Sequence, residues 1–135
     1  MRVEVRYLSR GGNTKRLADA VAAALNVPAL GVDRPMEARA DVMFICASVY
    51  GGGPDPAVVT FIRQNARDIG RLVVLSTSAS GKSTYAKLKA VGEDMGVAVS
   101  EVYFHCPGAF MVFHRNRPNA EDCRRAAEFA RAQLS

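Results

Sequence analysis

The sequence predicts a three-layer α/β sandwich built around a five-stranded parallel sheet. Two apolar runs, residues 42–47 and 72–75, carry no polar alternation, the pattern of strands covered by helices on both faces. Segments of helical periodicity separate the extended ones in the order β α β β α β α β α, and strands joined through helices run parallel with right-handed crossovers. Glycine, serine and threonine gather in three loops where strands end, which is where ligands sit in such sheets.

The elements follow in chain order. Val3, Val5 and Tyr7 alternate with Arg2, Glu4 and Arg6, a first strand that stops at the turn 9–14. Leu17, Val21 and Leu25 lie at i, i+4 and i+8 with Ala18 and Ala24 beside them, predicting a helix over 14–25 capped by Asn13 or Thr14. Residues 28–32 suit a short second strand, and 42–47 a buried third. After the glycine-rich stretch 50–56, Asp55 followed by Pro56 is an N-cap and first-turn pair. Val58, Phe61, Ile62 and Ile69 mark the apolar stripe of that second helix, with Gly70 placed to stop it.

Residues 72–75 form the fourth strand and 76–81 a loop. Leu88, Val91 and Met95 predict a third helix ending at Gly96, and 97–104 alternates as a fifth strand. Pro118-Asn119 opens a last helix with Cys123, Ala127, Ala130 and Leu134 facing inward and Glu121 and Asp122 in the first turn, where the helix dipole favours them.

The chain of 135 residues suits one core, so a single domain over 1–135 is expected. An apolar fraction of 49% with 23% charged residues belongs to a globular protein. No run approaches the roughly 18 to 20 apolar residues of a membrane span, and the N-terminus begins on a strand rather than a signal-like stretch. No membrane span and a cytoplasmic location are therefore expected. Cys46, Cys106 and Cys123 form neither a CxxC nor a zinc pattern and are read as reduced, packing thiols. The net charge of +5 suits an anionic ligand, an acidic protein partner or nucleic acid. Its scatter, without a basic block or interleaved aromatics, argues against nucleic acid.

A loop of small residues feeding a helix N-terminus offers unpaired backbone N–H groups and a positive dipole end, which suit a phosphate. Hydroxyls at Ser9 and Thr14 and the Asn13 amide add donors, and Arg10, Lys15 and Arg16 stand near. The run Tyr7-Leu-Ser-Arg-Gly-Gly-Asn-Thr-Lys-Arg-Leu-Ala18 resembles the phosphate loop of flavodoxins, Ser/Thr-x-Ser/Thr-Gly-x-Thr. Gly11 stands where that family commonly carries a hydroxyl. The run Cys46-Ala-Ser-Val-Tyr-Gly-Gly-Gly-Pro54 is similar to the second flavin loop, and Leu75-Ser-Thr-Ser-Ala-Ser-Gly81 corresponds to the third, without the aromatic often found there.

The resemblance to short-chain flavodoxins implies a flavodoxin-like strand order 2-1-3-4-5 and flavin mononucleotide (FMN) as cofactor. It implies FMN contacts from Ser9, Arg10, Gly11, Gly12, Asn13 and Thr14 in the first loop. Ser48, Val49, Tyr50, Gly51 and Gly52 follow in the second, and Thr77, Ser78, Ala79, Ser80 and Gly81 in the third. Tyr50 would pack on the isoalloxazine, with Gly51 or Gly52 near flavin N5. The function implied is electron transfer with a redox partner protein, a reductase or acceptor enzyme. The basic charge departs from the usual acidic flavodoxin surface and points to an acidic partner. Two alternatives stay open: a small FMN-dependent reductase or oxidase in which Tyr50, Tyr85 or His105 orients an organic substrate, and a flavin-free interaction module.

Other patterns carry less. Residues 76–83 resemble a Walker A loop but have Ser76 in place of its first glycine and no matching Walker B carboxylate. His105 and Cys106 are strand neighbours that point to opposite faces, so they form no dyad. His105 and His114 are read as structural. The segment 106–117 is placed near the flavin edge, with Phe104, Phe110 and Phe113 as packing residues. Asp41, Asp55 and Asp68 have no metal-ligand spacing, and no metal is expected.

Overall fold

The structure is a computed structural model that describes residues 1–50, 52–108 and 116–135. In chain order these form β1 (Val3–Tyr7), α1 (Asn13–Leu25), β2 (Ala29–Gly31), β3 (Ala40–Tyr50), β4 (Gly53–Pro54) and α2 (Pro56–Asn65). A 3-10 turn (Ala66–Asp68) leads to β5 (Ile69–Ser78), α3 (Tyr85–Asp94), β6 (Ala98–Val99), β7 (Phe104–Pro107) and α4 (Ala120–Gln133).

The sheet runs β2-β1-β3-β5, all parallel, and both β6 and β7 pair with β5 at its far edge. Counting β6 and β7 as one position gives the expected order 2-1-3-4-5. The fifth strand predicted over 97–104 is nevertheless broken. Leu72 pairs with Val99 and Leu75 with Phe104, so three steps along β5 face five along its neighbour. The excess bulges outward and leaves Val102 and Tyr103 exposed. Tyr103 stacks there on Tyr85, with ring centroids 4.2 Å apart. Between the two pieces Ser100 N–H still donates to Leu72 O at 2.9 Å.

Helices α1 and α4 cover one face of the sheet and α2 and α3 the other. Successive residues of β3 alternate between two cores. Phe44 and Cys46 pack with Val5, Leu17, Leu75 and Ala126, while Met43 and Ile45 pack with Ile62, Leu72, Val74 and Leu88. Burial on both sides is why the central strands lack polar alternation.

Strands β2 and β3 close the hydrogen-bonding edges of β1, and residues 34–35 lie over the face that carries Glu4 and Arg6, so that face is buried although it is polar. Glu4 and Arg6 are 5% and 1% exposed, and the cost of burying them is offset by pairing. Arg6 Nε donates to Glu4 Oε1 at 2.8 Å, and Arg2, at the surface, donates to Glu4 Oε2 at 2.7 Å. The Arg6 guanidinium also donates to the carbonyls of Gly31, Arg34 and Pro35, holding the chain between β2 and β3 against the sheet. It lies over the Phe61 ring, 5.2 Å from the centroid.

Several boundaries differ from the expectation. Helix α2 starts as expected, with the Asp55 carboxylate accepting from Ala57 N–H at 2.9 Å, but it ends at Asn65. Ile69 and Gly70 belong to β5 because Ala40 pairs with Ile69. Gly70 serves that pairing, since a Cβ there would stand 2.5 Å from Asp41 O. Residues 76–78 are strand, with Ser76 and Thr77 paired to β3 on one side and all three paired to β7 on the other. In α3 the buried stripe is Leu88, Val91 and Gly92, with Met95 exposed beyond the end of the helix, and Gly96, at φ 77°, makes the stop. The fully buried residues of α4 are Asp122, Ala126 and Ala130; of the expected stripe Ala130 is among them, while Cys123, Ala127 and Leu134 are half-buried beside it. Asp122 joins them because it closes a capping box with Asn119 and takes two hydrogen bonds from Arg117, at 2.6 and 2.8 Å. Those bonds, Arg117 first, hold its carboxyl below the usual carboxylate range.

Candidate functional site

The carboxyl ends of β1, β3 and β5 open into one cavity of about 730 Å³. The first loop brings Ser9, Arg10, Gly11, Asn13 and Thr14 to it, the second Ser48, Val49, Tyr50 and Gly52, and the third Thr77, Ser78, Ala79 and Ser80. Three segments far apart in sequence thus meet as their residue types suggested. Gly12 and Gly81 stand behind the lining as backbone hinges, at φ 89° and 84°, where a side chain would be strained. Gly51 lies outside the described residues, as do Phe110, Phe113 and His114. Lys82 and Gly108 also line the cavity. The Pro107-Gly108 pair was the available sequence signal for the second, since a Cβ at Gly108 would press on Thr77 at 3.1 Å.

Helix α1 is not capped as expected. Its N-cap is Gly12, and among the described residues no side chain caps it. The Ser9 hydroxyl accepts instead from Gly12 N–H at 3.0 Å, which shapes the loop. Thr14 turns its hydroxyl to the sheet, where Thr14, Ser48 and Thr77 form a mutually bonded trio at the cavity floor, with Thr14 and Thr77 3.2 Å apart. An uncapped helix start leaves first-turn N–H groups for an outside acceptor. With three hydroxyls beneath it, this end of the cavity suits an anion. Gly11 is exposed, without a positive φ, and a Cβ there would meet nothing nearer than Asn13 Nδ2 at 4.0 Å.

The second loop carries the ring. Strand β3 runs on to Tyr50 because β4 folds back on it, pairing Val49 with Pro54 and Tyr50 with Gly53. The Arg10 guanidinium lies over the Tyr50 ring, 4.2 Å from its centroid, and is tied to Asp55 at 2.5 Å. Arg10 therefore does not point at the α1 N-terminus, the place its position in the first loop suggested.

On the α3 side, Ser78 Oγ, Thr84 Oγ1 and His105 Nδ1 are buried without a hydrogen-bond partner among the described residues. Ser78 belongs to the cavity wall, although its hydroxyl oxygen is itself buried. Burial holds the His105 pKa below its ordinary value. Cys106, the next residue, packs in the opposite core, as strand alternation requires. Its thiol is pushed up to about 12 by burial, and Cys46 is raised for the same reason, so both are protonated, unreactive packing groups. Among the described residues no three His, Cys, Asp or Glu side chains converge as metal ligands, and no helix is long and apolar enough to cross a membrane.

No protein-family model matches the chain, and no curated protein matches it. Solved structures do. The chain is similar to a flavodoxin from the domain Archaea, with 14% identity over 96% of this chain and 94% of that one at a TM-score of 0.75. It is similar to flavodoxin 2 from Bacillus cereus, with 17% identity over 99% and 98% at 0.70. It also matches 37% of rubredoxin oxygen:oxidoreductase from Desulfovibrio gigas, with 16% identity over 99% of this chain at 0.70. The fold is flavodoxin-like.

Proposed function

We propose that the chain binds FMN in the cavity at the carboxyl ends of β1, β3 and β5 and exchanges electrons with a redox partner protein. The observation that carries this reading is the convergence in one cavity of an uncapped helix start, a hydroxyl trio and an aromatic ring. The volume of about 730 Å³ lies in the range of roughly 300–1,000 Å³ for cofactor pockets. Bound FMN supplies the redox chemistry.

The chain's own residues do the holding. The first-turn N–H groups of α1 with Ser9, Asn13 and Thr14 take the phosphate, Ser48 and Thr77 support Thr14 from below, and Tyr50 flanks the ring. Ser78, Ala79 and Ser80 form the opposite wall. Exposed Lys82 on the cavity wall and the net charge of +5 suit an acidic partner. Free cysteines suit a reducing, cytoplasmic compartment, where we place the protein.

Fluorescence-quenching titration of the purified protein is expected to give saturable FMN binding at micromolar concentration or below. Absence of binding there sinks the proposal. A serine at Gly11 has room and an unstrained backbone, and it restores the hydroxyl that the phosphate loop lacks. Gly11→Ser is therefore expected to tighten FMN about tenfold, the worth of one hydrogen bond to a charged group, and to leave riboflavin, which lacks the phosphate, unchanged. Equal gains for both ligands would place residue 11 away from the phosphate.

A further inference from the structure

We infer that Arg10 is a built-in competitor for the ring-binding face of Tyr50, a positioning residue that a flavin must displace. The inference rests on the FMN reading above. Arg10 and Tyr50 both line the cavity, and the guanidinium sits 4.2 Å from the ring centroid. A planar cation at that distance covers the surface on which a fused aromatic ring would stack.

Two further contacts hold it. Arg10 Nη2 lies 2.5 Å from Asp55 Oδ2, and Arg10 backbone N–H donates to Tyr50 Oη at 3.3 Å. Together they bridge the first and second loops across the cavity. Asp55 is itself rigid, because its other oxygen caps α2 through Ala57 N–H. The Ala57 N–H and the Arg10 guanidinium hold its carboxyl below the usual carboxylate range, so the anchor is charged at working pH.

The Arg10 side chain is 59% exposed, so it can swing into solvent without disturbing the core. Its stacking and its ion pair are each of the weak, exposed kind. They raise the threshold for ring entry without closing the site. A ligand must therefore offer Tyr50 a larger flat surface than a guanidinium does, which selects for a fused ring over a simple phosphate compound.

Stopped-flow and equilibrium fluorescence quenching with FMN and with riboflavin test the inference on wild type, Arg10→Ala and Asp55→Asn. Asparagine is as good an N-cap as aspartate, so the second variant frees Arg10 while leaving α2 capped. Both variants are expected to bind both flavins faster and tighter than wild type, Arg10→Ala by about three- to tenfold, the combined worth of an exposed cation–π contact and an exposed ion pair, and Asp55→Asn by about two- to threefold, the worth of the ion pair alone. A readout independent of redox turnover accompanies this: ring-current-shifted Arg10 side-chain protons in the ligand-free protein, moving to ordinary positions on riboflavin saturation.

Weaker FMN binding by Arg10→Ala with riboflavin unchanged would make Arg10 a phosphate counterion and overturn the inference, as would unchanged binding of both. Failure of wild type and both variants to bind either flavin overturns the FMN reading itself. A wild type that binds, with variants that bind no better, overturns the role of Arg10 alone.

Discussion

Arg6→Met is expected to lower unfolding free energy by about 3–5 kcal/mol, measured by urea denaturation, the usual cost of breaking a buried ion pair from one side. The Arg6 and Glu4 side chains are 1% and 6% exposed and 2.8 Å apart. Methionine fills much of the same space, so the loss is electrostatic more than steric. Among the described residues Glu4 keeps only Arg2, whose side chain is 46% exposed, the carbonyls of Arg34 and Pro35 lose their guanidinium donor, and Gly31 O is left with Arg34 N–H at 3.2 Å. Adding Glu4→Gln to Arg6→Met removes the stranded charge and is expected to recover part of the loss. A single variant that loses less than about 1 kcal/mol, within the range of an exposed pair, would mean that water reaches this pair through the segment after β2.

Thr14→Val is expected to weaken FMN binding about ten- to a hundredfold, the loss of one hydrogen bond to a charged acceptor, while riboflavin binding changes little. Valine matches threonine in shape, so Leu17 and Val21 of the same helix stay seated in the core. The hydroxyl trio loses one member, but Ser48 and Thr77 remain bonded to each other, which limits the effect on stability. Parallel titrations with FMN and riboflavin separate the two consequences. An equal fall for both ligands would mean that the substitution reshapes the cavity floor and that Thr14 does not meet a phosphate.

The layers were legible because they rest on periodicity, whereas the strand order followed from the resemblance of the loops to those of flavodoxins. Residues 42–47 and 72–75 are apolar on both faces, and that pattern survives any detail of packing. Asp55 with Pro56, and Gly96, were legible because their roles are local: a cap is made within three residues, and a positive φ is a property of one. The three cavity loops were legible for the same reason, each being a short run of small residues at a strand end.

Strand length and face assignment were less legible, since each depends on what lies alongside. Residues 76–78 read as loop from their composition and became strand because β7 supplies partners for all three and β3 for Ser76 and Thr77. The fifth strand read as continuous from its alternation and is broken because its register against β5 slips by two residues. Asp122 read as a surface residue of the first turn and is buried because Arg117 neutralises it.

By itself the sequence determined the alternation of elements, the parallel sheet they form and the three loops that meet at its carboxyl edge. Those follow from periodicity, turn chemistry and the handedness of crossovers, which act over a few residues at a time. Only the tertiary structure decided that Arg6 lies inside, that Thr14 bonds across the cavity floor instead of capping its helix, and that Arg10 covers Tyr50. Each of these joins residues 25 to 63 positions apart, and pairings at that separation are set by where the folded strands place their ends.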